Sequence, residues 1–302
     1  MATAEDINCI RQVRVEMWKD DSLIVNADNL AVDFVVTRTC AAVFDKATIN
    51  ISNLTAEHLR IFTVPWLMFR ENDGTLKGSH LGIKLFAGYA SEEKIFEGYI
   101  TEALPSGTPP DITLNCVCRA HFNLDHKIVT LTGSRDDTLE TLLDALKKAC
   151  GWKEIVWKAD PAYRKLKMPS GKFAARGTLT EVLRAVDRNF PAVKTYFESF
   201  GTIGVCNNEK APAAESTVLK AGGKEYGALP VIGLPKGHQF GVSFTTLLNP
   251  SAELNQKAVL SSVMIPEISG EYYIKTITHR GSSRGNAFYT EYVCQTFPLR
   301  ED

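Results

Sequence analysis

Several features that mark other classes of protein are missing from this 302-residue sequence. Lys and Arg total 34 and Asp and Glu total 35, a formal net charge of −1, so the basic excess typical of a dedicated nucleic-acid binder is absent. No stretch approaches the roughly 20 apolar residues of a membrane-spanning helix; residues 61–69 come nearest, interrupted by Thr63 and Pro65. The N-terminus has neither the basic start nor the apolar core of a secretory signal. We therefore expect a soluble chain that is not exported.

The cysteines lack the pattern of a disulfide framework. They are odd in number, scattered along the chain and include no CxxC pair, and they stand at Cys9, Cys40, Cys116, Cys118, Cys150, Cys206 and Cys294. This usage is typical of reduced, buried thiols in a cytosolic product.

One stretch collects four possible zinc ligands within eleven residues: Cys116, Cys118, His121 and His126. The CxC spacing on a strand puts both thiols on one face of a sheet, where they continue the apolar row before them. Cysteine then acts as a small hydrophobic side chain. We favour this interpretation over a metal site and predict no cofactor.

Catalytic motifs are also scarce. The sequence contains no Walker A or Rossmann glycine string. Residues 281–285 match the G-x-S-x-G string of a nucleophile elbow, which requires a helix directly after the turn. Residues 286–293 instead have a strand-like pattern, which favours a hairpin turn. The adjacent acidic pairs lie at turns or a helix cap and place no two carboxylates across a substrate. We therefore predict a protein that is not an enzyme and has no catalytic residues.

Residues 1–133 are predicted to form a β-rich N-terminal domain. Apolar and polar side chains alternate in short segments, which is the period of a half-buried strand. The segments are residues 13–17, 32–36, 47–51, 83–87, 95–100 and 112–118. Their separation by Gly, Asn and Asp turns favours an antiparallel barrel or sandwich.

Residues 134–206 are predicted to form a small α/β module. Leucines at helical spacing follow Asp137, which we interpret as forming a capping box with Glu140 three residues later, and Gly151 provides a stop. Thr178 and Glu181 begin a second helix, and each helix precedes a strand-like run.

Residues 207–237, rich in Gly, Ala and Pro, are predicted to be a connector. Residues 238–302 return to strands and end in a hairpin, which gives an α+β fold that is mainly β.

Residues 147–176 carry a local basic excess, with nine Lys or Arg against two acidic residues. Such a segment can contact an acidic partner or nucleic acid that passes nearby. It can equally be the solvated surface of the α/β module, which is the interpretation that we favour.

Three ordered motifs carry a resemblance to a known family. The first is an alternating strand that leads into Asn53-Leu54. The second is Gly88-Tyr89 followed by Gly98, and the third joins Gly233-Leu234-Pro235 to Leu248-Asn249-Pro250. Together they resemble the baseplate hub proteins of contractile-tailed bacteriophages, the Mu-like and T-even-like hubs. One departure is Asn255, where relatives often have Gly. We expect the motif residues to have structural roles.

The resemblance implies two barrel-like tube domains per chain, with the second completed by residues 238–302, and an inserted α/β module. It implies a homotrimeric ring that adapts the hexameric tail tube to the trimeric spike and lets DNA pass through its lumen. The implied partners are the spike protein, the tail tube or tube-initiator protein and the tape measure protein. The implied location is the baseplate of the virion, after synthesis in the host cytoplasm. A tail-tip hub of a non-contractile tail and a tail-associated cell-wall-degrading enzyme are the alternatives.

Overall fold

The computed structural model describes residues 10–63, 69–70, 76–77, 81–89, 91–120, 124, 127–168, 171–198, 201–208, 211, 217–223 and 227–297. The first strands are β1 Arg11–Lys19, β2 Ser22–Ala27, β3 Val32–Thr39, β4 Lys46–Ser52, β5 Phe69–Arg70, β6 Leu76–Lys77, β7 Leu81–Tyr89, β8 Glu93–Thr108, β9 Asp111–Arg119 and β10 Ile128–Gly133. The later strands are β11 Ile155–Lys158, β12 Phe173–Thr178, β13 Val193–Phe197, β14 Ile203–Asn207, β15 Leu219–Gly222, β16 Lys236–His238, β17 Gly241–Leu247, β18 Lys257–Ser261, β19 Gly270–Ser282 and β20 Phe288–Gln295. The helices are α1 Ala56–Thr63, α2 Leu139–Cys150 and α3 Leu179–Asn189.

One 13-stranded sheet dominates the fold. Its strands follow the order β16-β17-β20-β19-β3-β4-β9-β8-β7-β1-β2, and β18 pairs with β19 and carries β15. The antiparallel pair β19 and β3 joins the strands of the C-terminal part to those of the N-terminal part. The mainly β, α+β class is confirmed. The closed barrels that the resemblance implies do not form within the described part of this chain, where the main path of the sheet ends at β2 and β16 and its branch ends at β15.

The alternating strands bury one face each, as their period requires. In β1, for example, Val13, Val15 and Met17 lie in the core while their neighbours stay partly exposed. The described residues form three hydrophobic clusters, one under β1–β9, one in the α/β module and one under the C-terminal strands. Leu248 and Phe288 belong to the first cluster although they lie far along the chain, so the N- and C-terminal parts share a core.

Both predicted helices of the α/β module are present, with one correction to the first cap. The capping box of α2 is formed by Thr138 and Thr141, whereas Asp137 accepts hydrogen bonds from the backbone and hydroxyl of Ser134. Asp137 stands one position too early for the cap, because the helix begins only at Leu139. Gly151 ends α2 in the left-handed conformation with φ +70°.

The second helix begins as predicted. The backbone N–H of Thr178 donates to the carboxylate of Glu181 at 2.8 Å, completing the capping box of α3. The helices pack beside the antiparallel pair β10 and β12 and the three-stranded sheet β11-β14-β13. Within the segment predicted as a connector, the structure places β15, which pairs in parallel with β18. No helix among the described residues is long and apolar enough to cross a membrane.

Candidate assembly site

The G-x-S-x-G string forms a hairpin turn between β19 and β20, as its neighbours predicted. Ser283 at its centre accepts a hydrogen bond from the N–H of Val32 at 2.9 Å and donates to the carbonyl of Leu30 at 3.2 Å. A strand follows rather than a helix, so the strained elbow that exposes a nucleophile is not built here. The hydroxyl instead ties the hairpin to the start of β3.

Cys116 and Cys118 lie buried in β9, on the same face. Burial raises the pKa of Cys116 to about 12 and also raises that of Cys118, so both remain neutral thiols in the core. His121 and His126 lie outside the described residues. Within the described part of the chain, no three His, Cys, Asp or Glu side chains are grouped as metal ligands.

The first family motif forms the turn after β4. Asn53 adopts a left-handed φ of +61°, which asparagine tolerates better than most residues. Its backbone N–H donates to the carbonyl of Ile112 at 2.8 Å, and Leu54 packs into the first hydrophobic cluster. The motif therefore holds the end of β4 against β9.

The second motif contains two glycines that are needed because other backbone lies close. A Cβ on Gly98 would stand 2.4 Å from the carbonyl oxygen of Arg119, and one on Gly88 would stand 2.0 Å from that of Ser91. Neither residue has a positive φ, so the close backbone, rather than a left-handed conformation, is the reason for glycine at both positions. Tyr89 donates its hydroxyl to the carbonyl of Phe288 at 3.1 Å and thus joins β7 to the C-terminal hairpin.

The third motif leads into the short strand β16. Gly233 has a φ of +73° in open space, a left-handed conformation that glycine adopts without strain. Leu234 is 59% exposed, whereas Pro235 is buried. The turn therefore presents an apolar side chain to the outside directly before the last strand of the sheet.

The second half of the third motif follows β17. Leu248 is buried in the first hydrophobic cluster, and the N–H of Asn249 donates to the hydroxyl of Thr290 at 2.9 Å. The amide of Asn249 also donates to the hydroxyl of Tyr292 at 3.2 Å, and Pro250 continues the turn. These contacts fix the chain beside β20 where it leaves the sheet.

Within the described residues, the main path of the sheet ends in β2 and β16, and the branch through β18 ends in β15. An edge strand presents unpaired N–H and C=O groups that can pair with another chain. The three residues of β16 are all exposed and include Lys236 and His238. The opposite end strand, β2, lies between the exposed residues Asp21 and Asp28. One edge is therefore basic and the other is flanked by acidic residues.

Residues 101–112, which we call the arm, form the hairpin end of β8 and β9 beyond β7. Here β7 pairs with β8 only as far as Tyr99, whereas β4 pairs with the other side of β9 from Thr113 onward. Leu104 on the arm is 55% exposed, and Pro105 lies on its outer strand. Proline lacks the N–H that a further strand would need, so this edge is protected against unwanted strand pairing. The arm can make contacts mainly through its side chains.

An exposed apolar pair lies in the loop between β18 and β19. Val263 is 76% exposed and Met264 is 77% exposed. Isolated exposed apolar residues are common, whereas these two adjacent ones form a small apolar patch.

The basic segment at 147–176 divides in the structure. Lys148, Lys153, Lys165 and Lys167 are exposed, in agreement with a solvated surface. Lys158, by contrast, is buried and was missed by the sequence analysis. Its ammonium group lies 3.0 Å from the carboxylate of Glu198 and 3.1 Å from that of Glu253.

This ion pair belongs to a polar junction between the α/β module and the sheet. Lys158 also donates to the carbonyl of Leu254 at 3.0 Å. Arg38, at the end of β3, donates to the carbonyl of Glu198 and lies 3.4 Å from the carboxylate of Asp45. Burial raises the pKa of Asp45 to about 7 despite the opposing effect of Arg38. Nothing in the sequence marks Lys158, the last residue of β11, as buried, so only the structure shows this junction.

Comparison with known structures shows what this fold resembles. A prophage MuSo2 43 kDa tail protein from Shewanella oneidensis has a TM-score of 0.56 at 12% identity, and the match covers 93% of this chain and 98% of that chain. A tail protein from Neisseria meningitidis MC58 has a TM-score of 0.57 at 11% identity, covering 94% of this chain and 96% of that chain.

A third similar structure is the E. coli c3393 protein, described as a type VI secretion component with structural similarity to the T4 tail proteins gp27 and gp5. Its TM-score is 0.56 at 8% identity, covering 94% of this chain and 77% of that chain. No curated protein sequence matches the chain significantly. Residues 10–294, however, match the family described as Baseplate hub gp41. The chain therefore belongs to the baseplate hub gp41 family of structural phage tail proteins.

Proposed function

We propose that three copies of this chain form a closed ring at the tail baseplate. The ring adapts the sixfold tail tube to the threefold spike, and its lumen lets DNA pass. The observation that carries the proposal is a 13-stranded sheet whose main path ends in the strands β2 and β16, in a chain of the baseplate hub family. A head-to-tail ring pairs β16 of each copy with β2 of the next, which removes the hazard of leaving these two strand edges exposed.

Charge at the two edges supports a head-to-tail order. Lys236 and His238 on β16 would face the β2 edge of the next copy, which lies between Asp21 and Asp28. Edge pairing supplies the main-chain hydrogen bonds, while opposite charges favour this pairing over β2 with β2 or β16 with β16.

The remaining surfaces are proposed to contact other tail proteins. The arm at 101–112 and the exposed pair Val263 and Met264 lie outside the proposed ring edges. We assign them to the spike on one side and to the tail tube, or its initiator, and the tape measure protein on the other. Replacement of both Val263 and Met264 by Ser should weaken binding to one of these partners without changing the mass of the ring.

The ring is tested by the native mass of the purified chain, measured by light scattering with negative-stain images of the same fraction. We expect a particle of three times the chain mass of 33.4 kDa with a central hole. Lys236→Glu should weaken the ring by like-charge repulsion, about 0.2–1 kcal/mol at each interface. Lys165→Glu, at an exposed site in the α/β module, is the matched control and should leave the mass unchanged.

A charge swap makes the edge assignment specific. Asp28→Lys as a single variant should weaken the ring, whereas the double variant with Lys236→Glu and Asp28→Lys should restore it. A double variant no better than either single variant would refute the pairing of β16 with β2. A chain that stays monomeric even with the spike protein present would refute the ring itself.

A further inference from the structure

Two cysteines from distant parts of the chain meet at the junction of the sheet and the α/β module. Cys40 directly follows β3 and Cys206 lies in β14, and their sulfur atoms are 3.7 Å apart. Both are free thiols in this structure. A disulfide bond is about 2.05 Å long, so the two sulfur atoms need to approach by only about 1.7 Å.

The surroundings of Cys40 favour its thiolate. The side-chain amide of Asn255 donates to its sulfur at 3.0 Å, and the ammonium group of Lys275 donates to the amide oxygen of Asn255 at 2.8 Å. The hydrogen bond from Cys206, the charge of Lys275 and the bond from Asn255 together lower the pKa of Cys40 to about 7. The pKa of Cys206 is raised by Cys40 and by burial, so Cys206 keeps its proton.

The backbone explains how Asn255 reaches this position. Its φ of +58° is left-handed, a conformation that asparagine tolerates and glycine adopts freely. A glycine here, which the family resemblance leads one to expect, would have the same backbone but no amide to donate to Cys40. The amide contact is therefore a property of this chain's own residue.

We propose that Cys40 and Cys206 form a redox-active pair that closes to a disulfide by exchange with a small-molecule disulfide. The thiolate of Cys40 attacks one sulfur of the small disulfide, whose bond breaks and releases one thiolate, leaving a mixed disulfide on Cys40. Cys206 then gives up its proton and attacks the sulfur of Cys40, releasing the second thiolate. The two protein thiols are oxidised, and the small disulfide is reduced to two thiols.

The other described cysteines differ from this pair. Burial raises the pKa of Cys294 to about 12 and that of Cys150 to about 11, so their thiolate fractions are small at neutral pH. Cys116 and Cys118 are buried and protonated as well. Cys40 alone among the described cysteines is partly exposed and has a lowered pKa. The exchange should therefore be selective.

The bond would cross-link the sheet to the α/β module. It joins residues 166 positions apart, and a cross-link that closes so long a loop restricts the unfolded chain strongly. The oxidised protein should therefore melt at a higher temperature than the reduced protein. The chemistry takes place within one chain, so the test does not depend on the ring.

The experiment treats the full-length reduced protein with 4,4′-dithiodipyridine at neutral pH. We expect two thiopyridone molecules released per pair, a chain lighter by two hydrogens, and a tryptic cross-link between residues 39–46 and 195–210, which contain one cysteine each. Cys206→Ser should retain a thiopyridyl adduct on Cys40, because the second thiol is missing. Cys40→Ser should lose the rapid reaction, and Cys294→Ser, the matched control, should behave like the wild type.

Three results would overturn the proposal. One is a stable adduct on Cys40 in the wild type without the cross-linked peptides. Another is a cross-link that joins other cysteines preferentially in the folded protein. The third is an absence of reaction at Cys40 in the folded protein when the urea-unfolded protein reacts fully. A melting temperature that rises on oxidation of the wild type but not of Cys206→Ser would support the cross-link independently.

Discussion

The buried ammonium group of Lys158 should contribute strongly to the stability of the junction between the α/β module and the sheet. Its side chain is 8% exposed and that of Glu198 is 9% exposed, with 3.0 Å between the charged groups. Lys158→Met keeps most of the apolar stem but leaves the carboxylate of Glu198 without its cation. Such an uncompensated charge must stay unpaired or take up a proton, and either outcome costs free energy.

The expected loss is about 3–5 kcal/mol, as for other buried pairs that lose one partner. At about 2–4 °C per kcal/mol, the melting temperature should fall by about 6–20 °C. The Glu253 side chain is 51% exposed, so water screens its contact with Lys158. Glu253→Gln is therefore the matched control and should cost less than about 1 kcal/mol.

Scanning calorimetry or circular dichroism at fixed pH measures these shifts. Lys158→Met combined with Glu198→Gln should recover part of the loss, because both charges are then removed. A fall of less than about 2 °C for Lys158→Met would refute the reasoning. So would a double variant whose loss equals the sum of the two single losses, since the paired charges would then be independent.

Three further predictions concern a close backbone contact, a left-handed backbone conformation and pH. Gly98→Ala should destabilise the sheet by about 1–3 kcal/mol, because the new Cβ meets the backbone of Arg119. The control Gly82→Ala should be tolerated, because the nearest atom to its Cβ is a side-chain carbon at 3.5 Å. Equal melting temperatures for the two variants would contradict this prediction. Gly233→Val should cost about 1–2 kcal/mol through its left-handed φ, measured in the same way. Burial and the nearby Arg38 lower the pKa of His279 from 6.5 to about 3, so the unfolded chain binds a proton more readily than the folded chain. The free energy of unfolding should therefore fall by about 2 kcal/mol as the pH is lowered from 7 to 5. The raised pKa of Asp45 has the opposite effect on stability, so the test compares how the free energy of unfolding of the wild type and of His279→Asn changes with pH. Identical pH dependences would refute the role given to His279.

Local sequence patterns predicted much of the secondary structure. The alternation in residues 32–36 and 47–51 corresponds to β3 and β4, and the signals at Thr178 and Gly151 fall at helix ends. These features depend on nearest neighbours along the chain: side-chain periodicity sets which face is buried, and capping residues satisfy the free backbone groups at helix ends. The cap at Asp137 was placed one residue early, because Asp137 and Thr138 are both good capping residues.

The family motifs were found in the sequence, but the reasons for their residues were not. Gly98 and Gly233 are both glycine, but for different reasons. A side chain on Gly98 would meet the backbone of Arg119, whereas Gly233 adopts a left-handed φ. A close approach between residues that are distant in sequence depends on how the strands pair. No local pattern contains that information.

The sequence by itself determined the mainly β class, the two capped helices and the ordered motifs of a baseplate hub. Only the tertiary structure decided that β3 and β19 join both ends of the chain in one sheet, because that pairing depends on contacts between distant segments. It also decided that Lys158 is buried between carboxylates and that Cys40 meets Cys206. The burial of a charge or the pairing of two thiols depends on which surfaces the fold brings together, and packing between distant segments decides that.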